Sequence, residues 1–240
     1  MKKIILIILV LLAVKISPAQ TLKGLFDKAT NVVKSPSGSG LSNEDIISGL
    51  KDALRVGTDS SSKRLGKMDG FFKDAAIKIL MPEEAKKVEK TLRGLGMGSL
   101  VDKAILSMNR AAEDAASGVG NIFWDAIKKM SINDGLKILR GGDFAATDYL
   151  KSMTTKELTE KFRPVIEASL VKFDATKYWK DVFTNYNRFS ANQVNTDLTA
   201  YVTERALSGL FYNIGLEEQK IRKNPAAQVT DILKKVFGGK

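Results

Sequence analysis

Three segments of the sequence carry polar side chains at positions where an ordinary amphipathic helix does not need them. In the first, a helical rotation of about 100° per residue places Asp102, Asn109 and Glu113 along one flank of an apolar face. A stripe at the edge of a buried face either pairs with another helix or lines a groove. We favour structural pairing, and a groove remains the alternative.

The second segment is a turn, Gly141-Gly142-Asp143, that leads into a predicted helix. Free backbone N–H groups at a helix N-terminus can bind an anion, so anion binding is one interpretation. Asp143 is also a good N-cap residue, and as a cap it would occupy these donors and repel an anion. The spacing matches neither a Walker loop nor a dinucleotide-binding fingerprint. We therefore expect Asp143 to cap the helix.

The third segment runs from Leu198 to Arg222. Its apolar residues point in nearly every direction around a helix, which predicts a central and largely buried helix. The charged residues inside it, Glu204 and Arg205, would then need partners. Further along, Glu218 and Arg222 stand four residues apart, the spacing of an ion pair on one helix face.

Carboxylates from these segments could do chemistry if the fold brought them together. Glu113 with Glu217 or Glu218 could act as an acid–base pair on a glycoside, or converging carboxylates could hold Ca²⁺. Arginines are available nearby, and a buried salt-bridge network is therefore the preferred interpretation. The candidate polar cluster comprises Asn109, Arg110, Glu113, Arg140, Asp143, Thr147, Asp148, Arg163, Glu217, Glu218 and Arg222.

Composition excludes most other mechanisms. The chain has no Cys and no His, which rules out thiol nucleophiles, Ser-His-Asp triads, imidazole proton shuttles and zinc sites built on these residues. A lipid-modified N-terminal cysteine is excluded as well. Any catalysis would rest on carboxylates, Lys, Tyr or Ser–Lys pairs. We expect no cofactor and no metal.

The first 19 residues have the pattern of a secretory signal peptide. Lys2 and Lys3 precede an apolar run over residues 4–14, and Ser17 and Ala19 are small residues at the cleavage site. The run is too short to span a bilayer, although an N-terminal membrane anchor is the alternative. Cleavage after Ala19 predicts an exported, periplasmic protein whose mature chain has no transmembrane segment.

The formal charge of +11 at pH 7 has a particular meaning in an exported protein. Basic residues are interleaved with Asp and Glu and form no dense run, which is typical of a solvated, mildly basic surface. Nucleic acid is not an expected partner in that compartment. The partner that such a charge would suit is an anionic envelope component, either a lipid headgroup or a glycan.

Helix signals divide the rest of the chain. Residues 20–34 form a predicted short amphipathic helix, which either binds a membrane surface or packs on the domain that follows. Residues 35–40 form a linker rich in Ser and Gly. Residues 41–237 are predicted to form an all-α bundle of roughly ten helices, with a short extended segment near residues 70–82 left open.

Capping signals mark several of the predicted helix starts. Each is a Ser or Thr followed three residues later by an acidic residue: Ser42 with Asp45, Ser131 with Asp134, and Thr154 with Glu157. The Asn224-Pro225 pair is predicted to open a last helix.

Three motifs in order carry a family resemblance. They are residues 95–98 leading to Ser107-Met108-Asn109-Arg110-Ala111-Ala112-Glu113, then residues 141–149, then residues 206–211 followed by Glu217-Glu218 and Ile221-Arg222. Together they resemble the bacterial family called domain of unknown function four-one-nine-seven, over roughly residues 41–237. The resemblance implies an exported, mainly helical bacterial protein with no established activity, cofactor or catalytic residue.

These observations favour a non-enzymatic protein of the cell envelope that binds a ligand or a partner. The absence of His and Cys and the low specificity of each candidate site support this hypothesis. Two alternatives remain: a carboxylate-dependent hydrolase acting on an envelope glycan, and a membrane-surface-associated protein.

Overall fold

The computed structural model describes residues 42–172, 175, 176, 179, 183 and 197–223. Over these residues the chain forms α-helices and one short 3₁₀ turn, Glu83–Ala85, and no β-strand. The predicted all-α class is therefore confirmed for the described part of the chain. The helices are α1 (Asn43–Leu65), α2 (Lys86–Gly94), α3 (Gly98–Ala116), α4 (Gly120–Lys129), α5 (Ile132–Arg140), α6 (Ala145–Val171) and α7 (Leu198–Lys223).

The prediction of roughly ten helices is wrong, since the described residues form seven. One cause is α6, which continues without interruption through Thr154. Thr154 is buried, and its hydroxyl donates to the carbonyl oxygen of Leu150 at 2.6 Å instead of capping a new helix. Leu158 and Phe162 are fully buried beyond it, so a continuous apolar face outweighs the local start signal.

Several predictions concern residues outside the described part of the chain. These are the signal peptide over residues 1–19, the amphipathic helix over 20–34, the linker over 35–40 and the last helix that Asn224-Pro225 was expected to open.

Two of the predicted capping signals are confirmed. The hydroxyl oxygen of Ser42 accepts a hydrogen bond from the backbone N–H of Asp45 at 3.1 Å, at the start of α1. Ser131 and Asp134 form a reciprocal capping box at the start of α5. These bonds satisfy backbone donors that have no partner within the helix, which is why local sequence suffices to place both helix starts.

Helices α6 and α7 form an antiparallel pair. Glu218, near the end of α7, bonds the first turn of α6, and Arg163, late in α6, pairs with Asp197 just before α7. Core residues from the other helices pack on this pair. For example, Phe123 of α4 meets Phe211 of α7 edge to face, with ring centroids 6.1 Å apart.

Helix α7 is the buried helix that the third segment predicted, although one stripe of it faces solvent. Val202, Ala206 and Leu210 are completely buried, whereas Glu204 and Arg205 are exposed. The expected buried charges at these two positions are therefore not present, because the helical spacing turns both side chains outward.

The chain between α1 and α2 contains turns up to Ile77 and no regular secondary structure over residues 78–82. The alternating apolar residues of the sequence, Ile77, Ile79 and Met81, are nevertheless all buried. The segment that was left open as extended is thus an irregular, non-helical connection with one buried face.

Gly209 of α7 lets this connection approach the helix closely. A Cβ atom built at Gly209 would lie 2.7 Å from Cε1 of Phe71 and 3.2 Å from Cβ of Ile77. We expect Gly209→Ala to lower the free energy of unfolding by about 1–3 kcal/mol through overpacking, even though alanine is the better helix former. Urea unfolding measures the change.

The matched control is Gly94→Ala at the end of α2, where an added Cβ meets nothing within 4 Å. This variant is expected to be neutral or slightly stabilising. Equal effects of the two substitutions would contradict the close approach at Gly209.

Candidate functional site

The predicted polar residues lie in separate groups. Asn109, Arg110 and Glu113 of α3 hold the connection between α1 and α2. A second group gathers where α6 begins and α7 ends, and it includes Glu218 and Arg222. The remaining candidates make single contacts or line a groove, so the fold builds no common centre from the hydrogen bonds and ion pairs of the described residues.

Glu113 is a buried carboxylate, only 3 % exposed. Its Oε1 atom accepts the backbone N–H groups of Phe71 and Phe72 at 3.0 and 3.1 Å, and its Oε2 atom accepts Nη1 of Arg110 at 2.6 Å. Arg110 in turn bonds Asp69 at 2.7 Å. The carboxylate thus compensates its own burial by binding a turn and a cation.

Asn109, one helical turn before Glu113, binds the same connection further along. Its side-chain oxygen accepts the N–H of Ile79 at 2.9 Å, and its Nδ2 atom donates to the carbonyl oxygens of Ile79 and Ile105 at 2.8 and 2.7 Å. Asn109 is completely buried. The polar flank of α3 therefore replaces the backbone partners that an irregular segment lacks, and its partner is this segment where the sequence suggested another helix.

Asp69 makes the contribution of this group to the stability of the fold depend on pH. Hydrogen bonds from Lys73 and then Arg110 hold the pKa of Asp69 below its usual value. A lowered pKa means that the carboxylate stabilises the fold above the unfolded-state value of about 4, and that this contribution is lost as the pH falls through the folded-state value. Asp69→Asn preserves the left-handed backbone that Asp69 adopts, with φ of 69°.

We therefore expect the stability difference between the wild type and Asp69→Asn to be constant above about pH 5 and to vanish in stronger acid. Urea unfolding followed from neutral pH to acid measures it. A difference that does not depend on pH would contradict the ion pair with Lys73 and Arg110.

Glu218 caps α6 from a distance of 72 residues in the sequence. Its two oxygens accept the N–H groups of Ala146 and Thr147 at 2.9 and 2.8 Å, and Oε2 also accepts the hydroxyl of Thr147 at 2.7 Å. Arg222 donates to Oε1 from Nε and Nη2, and Nη2 also reaches the carbonyl oxygen of Ile138. The helix N-terminus does bind an anion, but that anion is part of the protein.

The expectation that Asp143 caps α6 is wrong. Phe144 precedes the helix and makes no side-chain capping bond, and Asp143 instead accepts bonds from Lys223 and Gln219 of α7. The Lys223 ammonium beside Asp143 lowers the pKa of that carboxyl. Asp143 therefore joins the start of α6 to the end of α7 at the surface, while Glu218 accepts the buried N–H groups of the first turn of α6.

The other predicted residues belong to neither group. Glu217 pairs with Arg64 of α1 at 2.9 Å and with Lys220 at 3.8 Å, and Arg163 pairs with Asp197 at 2.6 Å. Arg140 is exposed and has no ion pair with a described residue. Asp148 is exposed on α6 and lines the groove described next.

The hydrolase hypothesis needs carboxylates that can reach a substrate. Glu113 and Glu218 are 3 % and 7 % exposed, and the oxygens of both already bind backbone N–H groups and an arginine. Proton transfer to a substrate requires a group within hydrogen-bond reach of it. Both carboxylates therefore stabilise the fold through these bonds.

A groove of about 880 Å³ runs between α6 and α7. From Phe144, just before α6, to Arg163 its wall follows a spacing of about four residues, and this stretch covers about 28 Å at the helical rise of 1.5 Å per residue. Both helices contribute hydroxyl groups to the wall. These are Thr147, Thr155, Thr159, Thr203, Ser208 and Tyr212.

Three of the predicted residues, Thr147, Asp148 and Arg163, lie in this groove. Sequence reasoning missed Lys151 and Thr155, although the polar series at four-residue spacing along α6 was a signal for them. The α7 side of the groove had no such signal, because its polar residues are mixed with apolar ones that face the core.

The described residues give no sign of a metal centre or a membrane span. His, Cys, Asp and Glu nowhere gather there in a group of three or more that could hold a metal ion. None of the described helices combines the length and the apolar composition that crossing a membrane requires.

Comparison with known proteins identifies the family. The model of the family described as "Protein of unknown function (DUF4197)" matches residues 40–238. The chain belongs to the DUF4197 family. No curated protein and no solved structure matches it.

The motifs that carry the resemblance to DUF4197 have a structural explanation. Residues 107–113 supply Asn109 and Glu113, which bind the connection between α1 and α2. Residues 141–149 and the Glu217–Arg222 segment supply both sides of the buried cap on α6. In this member of DUF4197, these motifs build the two internal networks, and the groove borders the cap on α6 through Thr147.

Proposed function

We propose that this member of DUF4197 is an exported, non-enzymatic protein of the bacterial envelope that binds a glycan in the groove between α6 and α7. Export rests on the signal-peptide pattern of residues 1–19, with cleavage after Ala19. The groove and its hydroxyl-rich wall are the single observation that supports a glycan ligand.

The shape of the groove suits an extended polar chain. Its volume of about 880 Å³ falls in the range of about 300–1,000 Å³ for ligand sites. Spread over a length of about 28 Å, this volume leaves room for one chain and not for a compact ligand. A linear glycan has this form.

The chemistry of the wall supports the same ligand class. The Thr155 and Thr159 hydroxyls donate to carbonyl oxygens four residues earlier, at 2.6 and 2.8 Å, which leaves their oxygens able to accept hydrogen bonds. Exposed Phe144 and Tyr212 offer apolar ring surface at one end of the groove. Sugar rings present both hydroxyl groups and apolar C–H faces to such a wall.

Charges in the groove are mixed. Lys151 and Arg163 can meet the acidic groups of an envelope glycan, and Asp148 and Glu204 can accept hydrogen bonds from its hydroxyls. This balance favours a glycan over a lipid headgroup alone, because a headgroup site would concentrate cations.

The carboxylates of the groove are too far apart for glycoside hydrolysis. Gly215 of α7 lies beside Thr147, the neighbour of Asp148. Glu204 is eleven residues earlier on α7, about 16 Å along the helix axis at 1.5 Å per residue. Glycosidase pairs stand about 5–9.5 Å apart, so this arrangement supports binding without cleavage.

Binding can be tested with soluble glycan fragments released from Gram-negative cell wall by a muramidase. We expect native mass spectrometry of the purified protein to retain fragments whose mass does not change during incubation. Ser208→Trp places a large side chain in the groove from an exposed position and should weaken binding at least tenfold.

The matched control is Ser152→Trp, an exposed position on α6 outside the groove lining, which should bind like the wild type. Equal retention by both variants, or no fragment retained by the wild type, would overturn the proposal.

Export is tested separately. The N-terminal sequence of the protein from a periplasmic extract is expected to begin at Gln20. A chain that still begins at residue 1 there would contradict the cleavage.

A further inference from the structure

A second cavity, of about 560 Å³, lies between α2, α3 and the side chains of Trp179 and Phe183. Its wall is apolar apart from Lys103 and Ser107 of α3. The groove between α6 and α7 has a more polar wall that carries several hydroxyl groups. The two cavities therefore suit chemically different ligands.

One wall of this cavity is held weakly. Helix α2 has no buried residue, and its Val88 and Leu92 are only partly covered where they face the cavity. Arg93 ties the end of α2 to Asp102 of α3 at 2.8 Å through an exposed ion pair. Exposed ion pairs contribute little to stability, so the partly covered Val88 and Leu92 supply most of the packing of α2.

Apolar side chains are also exposed beside the cavity. Leu95 and Met97 in the turn between α2 and α3 are 71 % and 44 % exposed, and Leu100, which lines the cavity, is 43 % exposed. Through Leu100, the apolar lining of the cavity thus reaches the surface. Lys103, the one charged residue of the lining, is itself exposed.

We propose that this cavity binds the aliphatic chain of a single-chain amphiphile whose anionic head group contacts Lys103. The volume lies within the range of ligand sites, and the apolar wall matches a hydrocarbon chain. The single cation at the surface complements a carboxylate or a phosphate. This site is independent of the proposed glycan groove.

The two tryptophans of the chain allow a direct test. Trp179 lines the cavity, whereas Trp124 lies on α4 beneath the guanidinium of Arg55. Dibrominated stearate quenches an indole that it touches. We expect saturable quenching of Trp179 in Trp124→Phe and no saturable quenching of Trp124 in Trp179→Phe. Equal quenching in both variants, or quenching that never saturates, would overturn the proposal.

Two further substitutions in the Trp124→Phe background separate the chain from the head group. Ala104→Phe fills the cavity and should weaken binding at least tenfold. Lys103→Glu should weaken binding of the brominated acid about tenfold but leave a brominated fatty alcohol unchanged. If Ala104→Phe does not fold, as judged by circular dichroism, the Lys103→Glu comparison decides alone.

Chain length and head group then define the ligand. Binding should strengthen about tenfold for each two methylenes added, until the cavity is full. Fatty acid and lysophosphatidylglycerol of equal chain length distinguish a carboxylate from a phosphate.

A dimer that dissociates in Ala104→Phe, without quenching by any amphiphile, would assign the cavity to a second copy of the chain and contradict the proposal. Lys103→Glu lies outside the groove lining and should leave glycan retention unchanged, so this test and the glycan test can fail separately.

Discussion

Replacing Glu218 by alanine is expected to lower the free energy of unfolding by about 3–5 kcal/mol. The substitution leaves the N–H groups of Ala146 and Thr147 without their acceptor. It also removes the bonds that Nε and Nη2 of Arg222, whose side chain is 11 % exposed, donate to Glu218. Urea unfolding followed by circular dichroism measures the loss, and hydrogen exchange should show faster exchange of the amides of Ala146 and Thr147.

The neighbouring residue supplies the control for this experiment. Glu217 pairs with Arg64, whose side chain is about half exposed, so Glu217→Ala should cost at most about 1 kcal/mol. Similar losses in the two variants would mean that general surface charge, and not the buried cap, stabilises the protein. A stable Glu218→Ala variant would contradict the role assigned to Glu218.

Replacing Glu113 by alanine is expected to have an effect of similar size, about 3–5 kcal/mol. Both N–H groups of the turn at Phe71 and Phe72 would lose their acceptor, and Arg110 would lose its buried partner. Since Asn109 binds Ile79 further along the same connection, the damage should spread. We expect faster exchange at the amides of Phe71, Phe72 and Ile79.

Asp125→Ala is the control for Glu113→Ala. Asp125 forms an ion pair with Lys128 in which both side chains are about half exposed, and the loss of this pair should cost about 0.5 kcal/mol or less.

The sign of the stability change in Glu113→Ala also bears on function. Catalytic carboxylates often lower stability, so a variant more stable than the wild type would favour the acid–base hypothesis over the structural role.

The buried cap on α6 also positions the proposed glycan groove. Thr147 donates its hydroxyl to Glu218 and lines the groove at the same time. The buried cap therefore fixes where one end of the groove wall stands relative to α7. Glu218→Ala should weaken glycan retention through this wall, whereas Glu113, whose partners lie in the connection between α1 and α2, should matter mainly for stability.

The amino-acid sequence by itself determined the features that depend on neighbouring residues. The helical class and the caps at Ser42 and Ser131 follow from spacing of three to four residues, because the interacting groups lie within one turn. The polar flank with Asn109 and Glu113 was visible for the same reason. So was the i,i+4 pair of Glu218 and Arg222, which bond at 2.7 Å.

Only the tertiary structure decided which of several local candidates found a partner. Asp143 and Glu218 are both suited to bind the N-terminus of α6, and Glu218 does so because the antiparallel packing of α7 brings it there. Thr154 carried a start signal, yet it lies inside a helix whose apolar face continues on both sides. The groove and the apolar cavity exist only between packed elements. Burial and long-range contacts outweigh single local preferences, since each of these preferences contributes only about 1 kcal/mol.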